Sequence, residues 1–106
     1  MNISTSNTKI FSRRLKEARL DKGLSQKQLG ILAGIDEFVA SPRINRYEKG
    51  VHQASIEIVQ RLASVLNVPL AYFYTEDDDL AKLIIKWDAL SIEMRGQIVS
   101  IVLGQN

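Results

Sequence analysis

The sequence predicts an all-α fold, and three observations carry that prediction. Apolar residues recur three and four positions apart in several segments, as in Leu29, Leu32, Ala33 and again in Ile56, Val59, Leu62, Ala63, Leu66, the spacing of one helix face. A serine able to cap a helix stands ahead of three such segments, at Ser25, Ser55 and Ser91. Glycine or a proline-containing stop follows them, at Gly23, Gly34, Gly50 and Asn67-Val68-Pro69.

Taken in order, Met1 to Thr8 is polar and poor in packing residues, and reads as a frayed tail. A first helix is expected over Ile10 to Lys22, with Phe11, Leu15, Ala18 and Leu20 inward and Arg13, Arg14, Lys16 and Lys22 outward. Ser25 opens a second helix, Gln26 to Ala33. Gln28 stands three residues on to return the hydrogen bond, which is the capping-box pattern. Next comes a connector, Ile35 to Ala40, whose Phe38 or Val39 is expected to pack down onto the core. Ser41-Pro42 reads as a cap followed by proline at the first helical position. The third helix is then Pro42 to Lys49, with Ile44 and Tyr47 inward, Arg43, Asn45 and Arg46 outward, and Gly50 closing it. A fourth helix runs from its cap at Ser55 through Leu66.

The remainder has its own pattern. Glu76 to Asp79 is an acidic cluster ahead of the apolar-periodic segment Leu80 to Trp87, where acids offset the helix dipole. A calcium loop would need alternating oxygens, a glycine and a distal glutamate that are missing here. After a break at Asp88-Ala89-Leu90, Ser91 caps a last helix reaching Leu103. Its stripe of Met94, Ile98, Ile101 and Val102 is widened by Ile92, Val99 and Leu103 beyond what one packed face needs, so something is expected to cover it.

The 106 residues allow one domain with a small appendage. With no cysteine there is neither a disulfide nor a thiolate metal site, which fits a cytoplasmic setting. There is no apolar run of about 18 residues to span a membrane, and no leader pattern. Net charge is +2, but residues 1–53 hold ten basic and five acidic residues while residues 54–106 hold four and seven. A basic half suggests contact with a polyanion. No nucleophile–base pair, metal-ligand set or phosphate-cradling glycine loop is present, so neither an enzyme nor a cofactor is expected. His52, the single histidine, makes neither a metal site nor a triad.

The string from Gly23-Leu24-Ser25-Gln26 to Arg46-Tyr47-Glu48-Lys49-Gly50 resembles the Cro/repressor-type helix-turn-helix, or xenobiotic-response-element, family of transcriptional regulators. The resemblance covers about residues 9 to 74 and implies a five-helix repressor-like DNA-binding domain, with Leu70 to Tyr74 as its short fifth helix. The expected organisation is therefore a tail over 1–8, the DNA-binding domain over 9–74, and a helical extension over 75–106. Aligned on Ile44 and Tyr47, the chain carries several more residues between the second and third helices than the family does, within Ile35 to Ser41.

By the same resemblance, Arg19 pairs with Glu48 and locks the first helix to the third. Gln26, with Lys27 beside it, meets phosphate at the start of the second helix, and Lys49 and Gln53 are candidates for the next phosphates; Arg14, on the basic outer face of the first helix, is expected to add a further phosphate contact. The base-reading positions fall on Ser41, Pro42, Arg43 and Arg46, with Asn45 adjacent. The chemistry suits them: arginine donates two parallel hydrogen bonds to guanine, and asparagine pairs with adenine. Pro42 can offer a thymine methyl only an apolar contact. Leu83, Ile84, Trp87, Ile98, Ile101 and Val102 are expected to form a dimer contact, the alternative being that the last two helices fold back on their own domain.

The leading expectation is a sequence-specific regulator of transcription, a repressor that binds double-stranded DNA at a palindromic operator as a homodimer. One alternative is an antitoxin that represses its own operon and binds a toxin through its C-terminal helices. Another is a protein-interaction module without DNA binding.

Overall fold

The computed structural model describes the backbone of residues 3–104 and the side chains of residues 8–104. The order is α1 (Ile3–Asp21), α2 (Gln26–Leu32), α3 (Glu37–Glu48), α4 (Ile56–Leu66), a 3-10 turn over Leu70–Tyr74, α5 (Asp78–Trp87) and α6 (Ile92–Leu103). Among the described residues there is no strand. The start of α1 corrects the expected tail over residues 1–8. Met1 and Asn2 lie outside the described residues, but residues 3–8 are helical, since neither glycine nor proline stands there to stop the helix.

The core is filled from every element before α6. Phe11, Leu15 and Ala18 of α1 meet Leu29 and Ala33, then Ile44 and Tyr47, then Val59, Leu62 and Leu66, with Tyr72 and Phe73 closing the end. The Phe11 and Phe73 rings lie 5.3 Å apart. Leu20, Leu32 and Ile56, expected inside, are exposed. Each stands in a terminal turn of its helix, where residues one turn further in cover the core.

The capping box of α2 forms as its sequence predicts: the Gln28 amide N–H donates to Ser25 Oγ at 3.0 Å and the Ser25 N–H to Gln28 Oε1 at 2.8 Å. Ser55 Oγ and Ser91 Oγ each accept the N–H three residues on, of Ile58 and Met94, and so cap α4 and α6. Gly34 leaves α2 with φ +87°, a conformation that favours glycine.

The third helix differs most from expectation. Its cap is Asp36, whose Oδ1 accepts the Phe38 N–H at 2.9 Å, and it starts at Glu37 instead of Pro42. The added residues thus lengthen α3 by about one turn. Neither Phe38 nor Val39 packs onto the core; Phe38 is 84% exposed. The residue on the inner side of this turn is Ala40, fully buried against Gly30 of α2. A Cβ built on Gly30 would lie 2.7 Å from the Ala40 Cβ, so these two small residues set how closely α2 and α3 approach. Gly30→Ala is expected to destabilise the fold by about 1–2 kcal/mol in a denaturant titration, because overpacking outweighs alanine's better helix propensity. An unchanged or higher midpoint would show that the two helices can separate at no cost.

α5 is tied to α1 through arginines. Asp78 Oδ1 accepts from Arg13 Nη1 at 2.8 Å and from Arg14 Nη2 at 3.0 Å. These hydrogen bonds, Arg13 first, hold the Asp78 carboxyl below its ordinary pKa. α6 is attached mainly by Arg95, which donates to the carbonyls of Trp87 and Asp88 at 3.0 Å and lies over the Trp87 ring. None of its residues is fully buried, whereas α5 does fold back on the domain through Ala81 and Ile84.

Candidate nucleic-acid interface

The interface is built outward from a buried ion pair. Arg19, on the last turn of α1, donates from Nε to Glu48 Oε2 at 2.6 Å and from Nη2 to Glu48 Oε1 at 3.0 Å. Its third nitrogen, Nη1, donates to the Leu24 carbonyl at 3.0 Å. The two side chains are only 11% and 4% exposed. A forked guanidinium–carboxylate pair of this kind fixes orientation as well as distance, so the end of α3 is held against α1. From the other side, Ser12 Oγ donates to the Tyr47 carbonyl at 2.6 Å. Ile44 and Tyr47 complete the inner face of α3.

With that face fixed, the opposite one is exposed. Arg43 and Arg46 of α3, Lys49 at its C-terminal cap and Lys27 of α2 are all on the surface. Ion pairs among the described residues engage Arg13, Arg14, Arg19 and Arg95 and leave these four cations without a carboxylate partner. Ser41 and Asn45 are half-buried at the edge of the same face, and Gln53 is exposed in the loop that follows.

Two of the expected contacts change role. Arg14, expected at phosphate, is 3% exposed. It donates to the carbonyls of Thr75 and Glu76 at 2.9 Å, to Asp78 at 3.0 Å and to Glu17 at 3.1 Å. Its guanidinium is consumed holding the segment between the 3-10 turn and α5. Gln26 directs its amide nitrogen inward, to Glu48 Oε1 at 3.1 Å and Asn45 Oδ1 at 3.2 Å. Both amide hydrogens are therefore used within the domain, and a phosphate contact by this side chain would require the network to open. The same bond engages Asn45 through its Oδ1.

The expected dimer residues separate likewise. Ile84 packs against the core and Trp87 is half-buried beside Arg95. Leu83, Ile101 and Val102 are exposed, and Ile98 is half-buried. Phe38 escaped the sequence reading of this surface, because the Ser41-Pro42 signal placed the start of the helix beyond it. The signal that could have found it is Asp36, an N-cap residue type two positions earlier.

Two short helices joined by a tight turn, the second pinned inside and cationic outside, define a DNA-binding helix-turn-helix domain. Residues 15–73 match the family model described as helix-turn-helix, and the chain belongs to that family of transcriptional regulators, in its Cro/C1-type form. The chain is similar to an HTH-type transcriptional regulator of Sinorhizobium medicae, 32% identical over 63 residues that make up 59% of this chain and 42% of that protein. It is similar also to RstR, the cryptic phage CTXphi transcriptional repressor of Vibrio cholerae, 28% identical over 71 residues, or 65% of this chain and 59% of the repressor. The chain thus spans about half the length of these curated relatives. Among solved structures it resembles the transcriptional regulator BswR, with 42% identity and a TM-score of 0.79, covering 90% of this chain and 98% of that one. Among the described residues no helix is long and apolar enough to cross a membrane.

Proposed function

We propose that this chain is a repressor that binds a palindromic operator as a homodimer, reading bases with the outward face of α3. The observation that supports it most is the pairing of a locked inner face with free guanidinium groups on the outer one. Arg19 and Glu48 hold the helix, while Arg43 and Arg46 stand exposed and, among the described residues, without an ion-pair partner. Each can donate a parallel pair of hydrogen bonds to guanine O6 and N7 in the major groove. Asn45 and Ser41 read beside them. Lys27, Lys49 and Gln53 supply phosphate contacts, and Gln26 holds Asn45 in position. Repression follows by occupancy, with no bond made or broken.

The exposed apolar residues of α6, with Leu83 of α5, are the proposed contact between two copies. Ile101 and Val102 are 80% and 73% exposed on a helix none of whose residues is fully buried in its own chain. A two-fold pair would place two α3 helices about 34 Å apart, one turn of duplex.

The reading is tested by titrating a bound duplex with the full chain at several salt concentrations. Arg46→Ala is expected to weaken binding by about 1–3 kcal/mol and to relax preference at one base position. Lys49→Ala should instead weaken all sequences alike and make the salt dependence shallower. Arg46→Ala binding with unchanged affinity and preference would remove α3 as the reading helix.

A further inference from the structure

We propose that Phe38 is a specificity residue that contacts a thymine methyl, so that the lengthened α3 reads with an apolar tip ahead of its arginines. This rests on the DNA-reading function proposed for α3. At 84% Phe38 is among the most exposed large apolar side chains of the described residues, yet it stands on rigid backbone. Its own N–H is the one that Asp36 caps at 2.9 Å, and two residues on Ala40 is wedged against Gly30. A ring held in water by a fixed turn forgoes the burial that usually stabilises phenylalanine.

Its position on the helix says what covers it. Phe38, Pro42, Arg46 and Lys49 follow one another at four, four and three residues, along the side opposite Ala40, Ile44 and Tyr47. At 1.5 Å of rise per residue the ring leads Arg46 by about 12 Å along the helix axis, roughly the width of the major groove. The stripe is thus apolar at its leading half and cationic at its trailing half, with Glu37 about 100° round the first turn from the ring. The unpaired charges of Arg46 and Lys49 select a polyanion for this face, and continuity carries Phe38 into the same groove. A phenyl ring has no hydrogen bond to give. The apolar group on a base edge in the major groove is the thymine 5-methyl, and Pro42 one turn on suits the same contact.

The test enriches duplexes from a random pool with the full chain and with Phe38→Ala, then replaces each thymine of the enriched site by deoxyuridine, which lacks only the methyl. The expected result is one thymine, within about four base pairs of the guanine lost in Arg46→Ala, whose methyl removal weakens the unaltered chain about fourfold and leaves Phe38→Ala unaffected. Phe38→Leu should keep the preference, and Phe38→Gln should lose it. If Phe38→Ala enriches the same site with the same affinity, the inference falls while the DNA-reading function stands. If the unaltered chain enriches no site, both fall. If Phe38→Ala changes only the size of the particle in light scattering, the ring is a protein contact and the inference falls.

Discussion

Glu48→Ala is expected to cost about 3–5 kcal/mol of folding stability, because it leaves the Arg19 guanidinium buried with no counter-charge. The carboxylate is 4% exposed and accepts from Arg19 twice and from Gln26 once. Its loss therefore strands one cation and one amide in a place water reaches poorly. A double-mutant cycle with Arg19→Ala isolates the pair, and the two changes should be strongly non-additive. Additive effects would mean that the two side chains act independently, and that α3 is held by its apolar face alone. DNA binding is expected to fall along with stability, since the same pair fixes the end of α3 that carries Arg46.

Arg14→Ala is expected to cost about 3 kcal/mol, from several hydrogen bonds made by one buried charged group. Two of its acceptors are backbone carbonyls, of Thr75 and Glu76, which lose a donor when the side chain is truncated. The variant should unfold at lower denaturant, yet bind DNA with an unchanged salt slope while it stays folded. A shallower slope with full stability would return Arg14 to the phosphate backbone and contradict its place in the fold. The neighbouring Asp78 adds a pH signature. Its folded pKa is lowered, through hydrogen bonds from Arg13 and then Arg14, so its contribution is present above the unfolded value. It is lost as pH falls through the folded one. The tie between α1 and α5 should thus hold at neutral pH and loosen only below about pH 4.

What the sequence made legible follows from how local each signal is. Ser25 with Gln28, Ser55 and Ser91 cap their helices within three or four residues, and all three form as expected. The start of α3 differs from the expected Pro42 because two local signals compete there. Ser41-Pro42 is the stronger pattern, but Asp36 takes the cap, and a small-residue contact with α2 supports the longer helix. Arg13 and Arg14 look alike in sequence. Both reach the Glu76 carbonyl, but Arg14 is the buried one and also holds the Thr75 carbonyl, about sixty residues away, which no periodicity on α1 can reveal. The inward turn of Gln26 is equally non-local, since it depends on Glu48 already being drawn toward Arg19. The covering of α6 is a property of its surroundings, and its own wide apolar face says only that a cover is needed.

The role proposed for the outward face of α3 is to read DNA. Selection of duplexes from a random pool by the full chain tests it most directly. The expected result is an enriched palindrome whose half-sites lie about 34 Å apart, with guanine at the position that Arg46→Ala relaxes. A pool that stays random after repeated rounds, or enrichment that Arg43→Ala and Arg46→Ala leave unchanged, would contradict it.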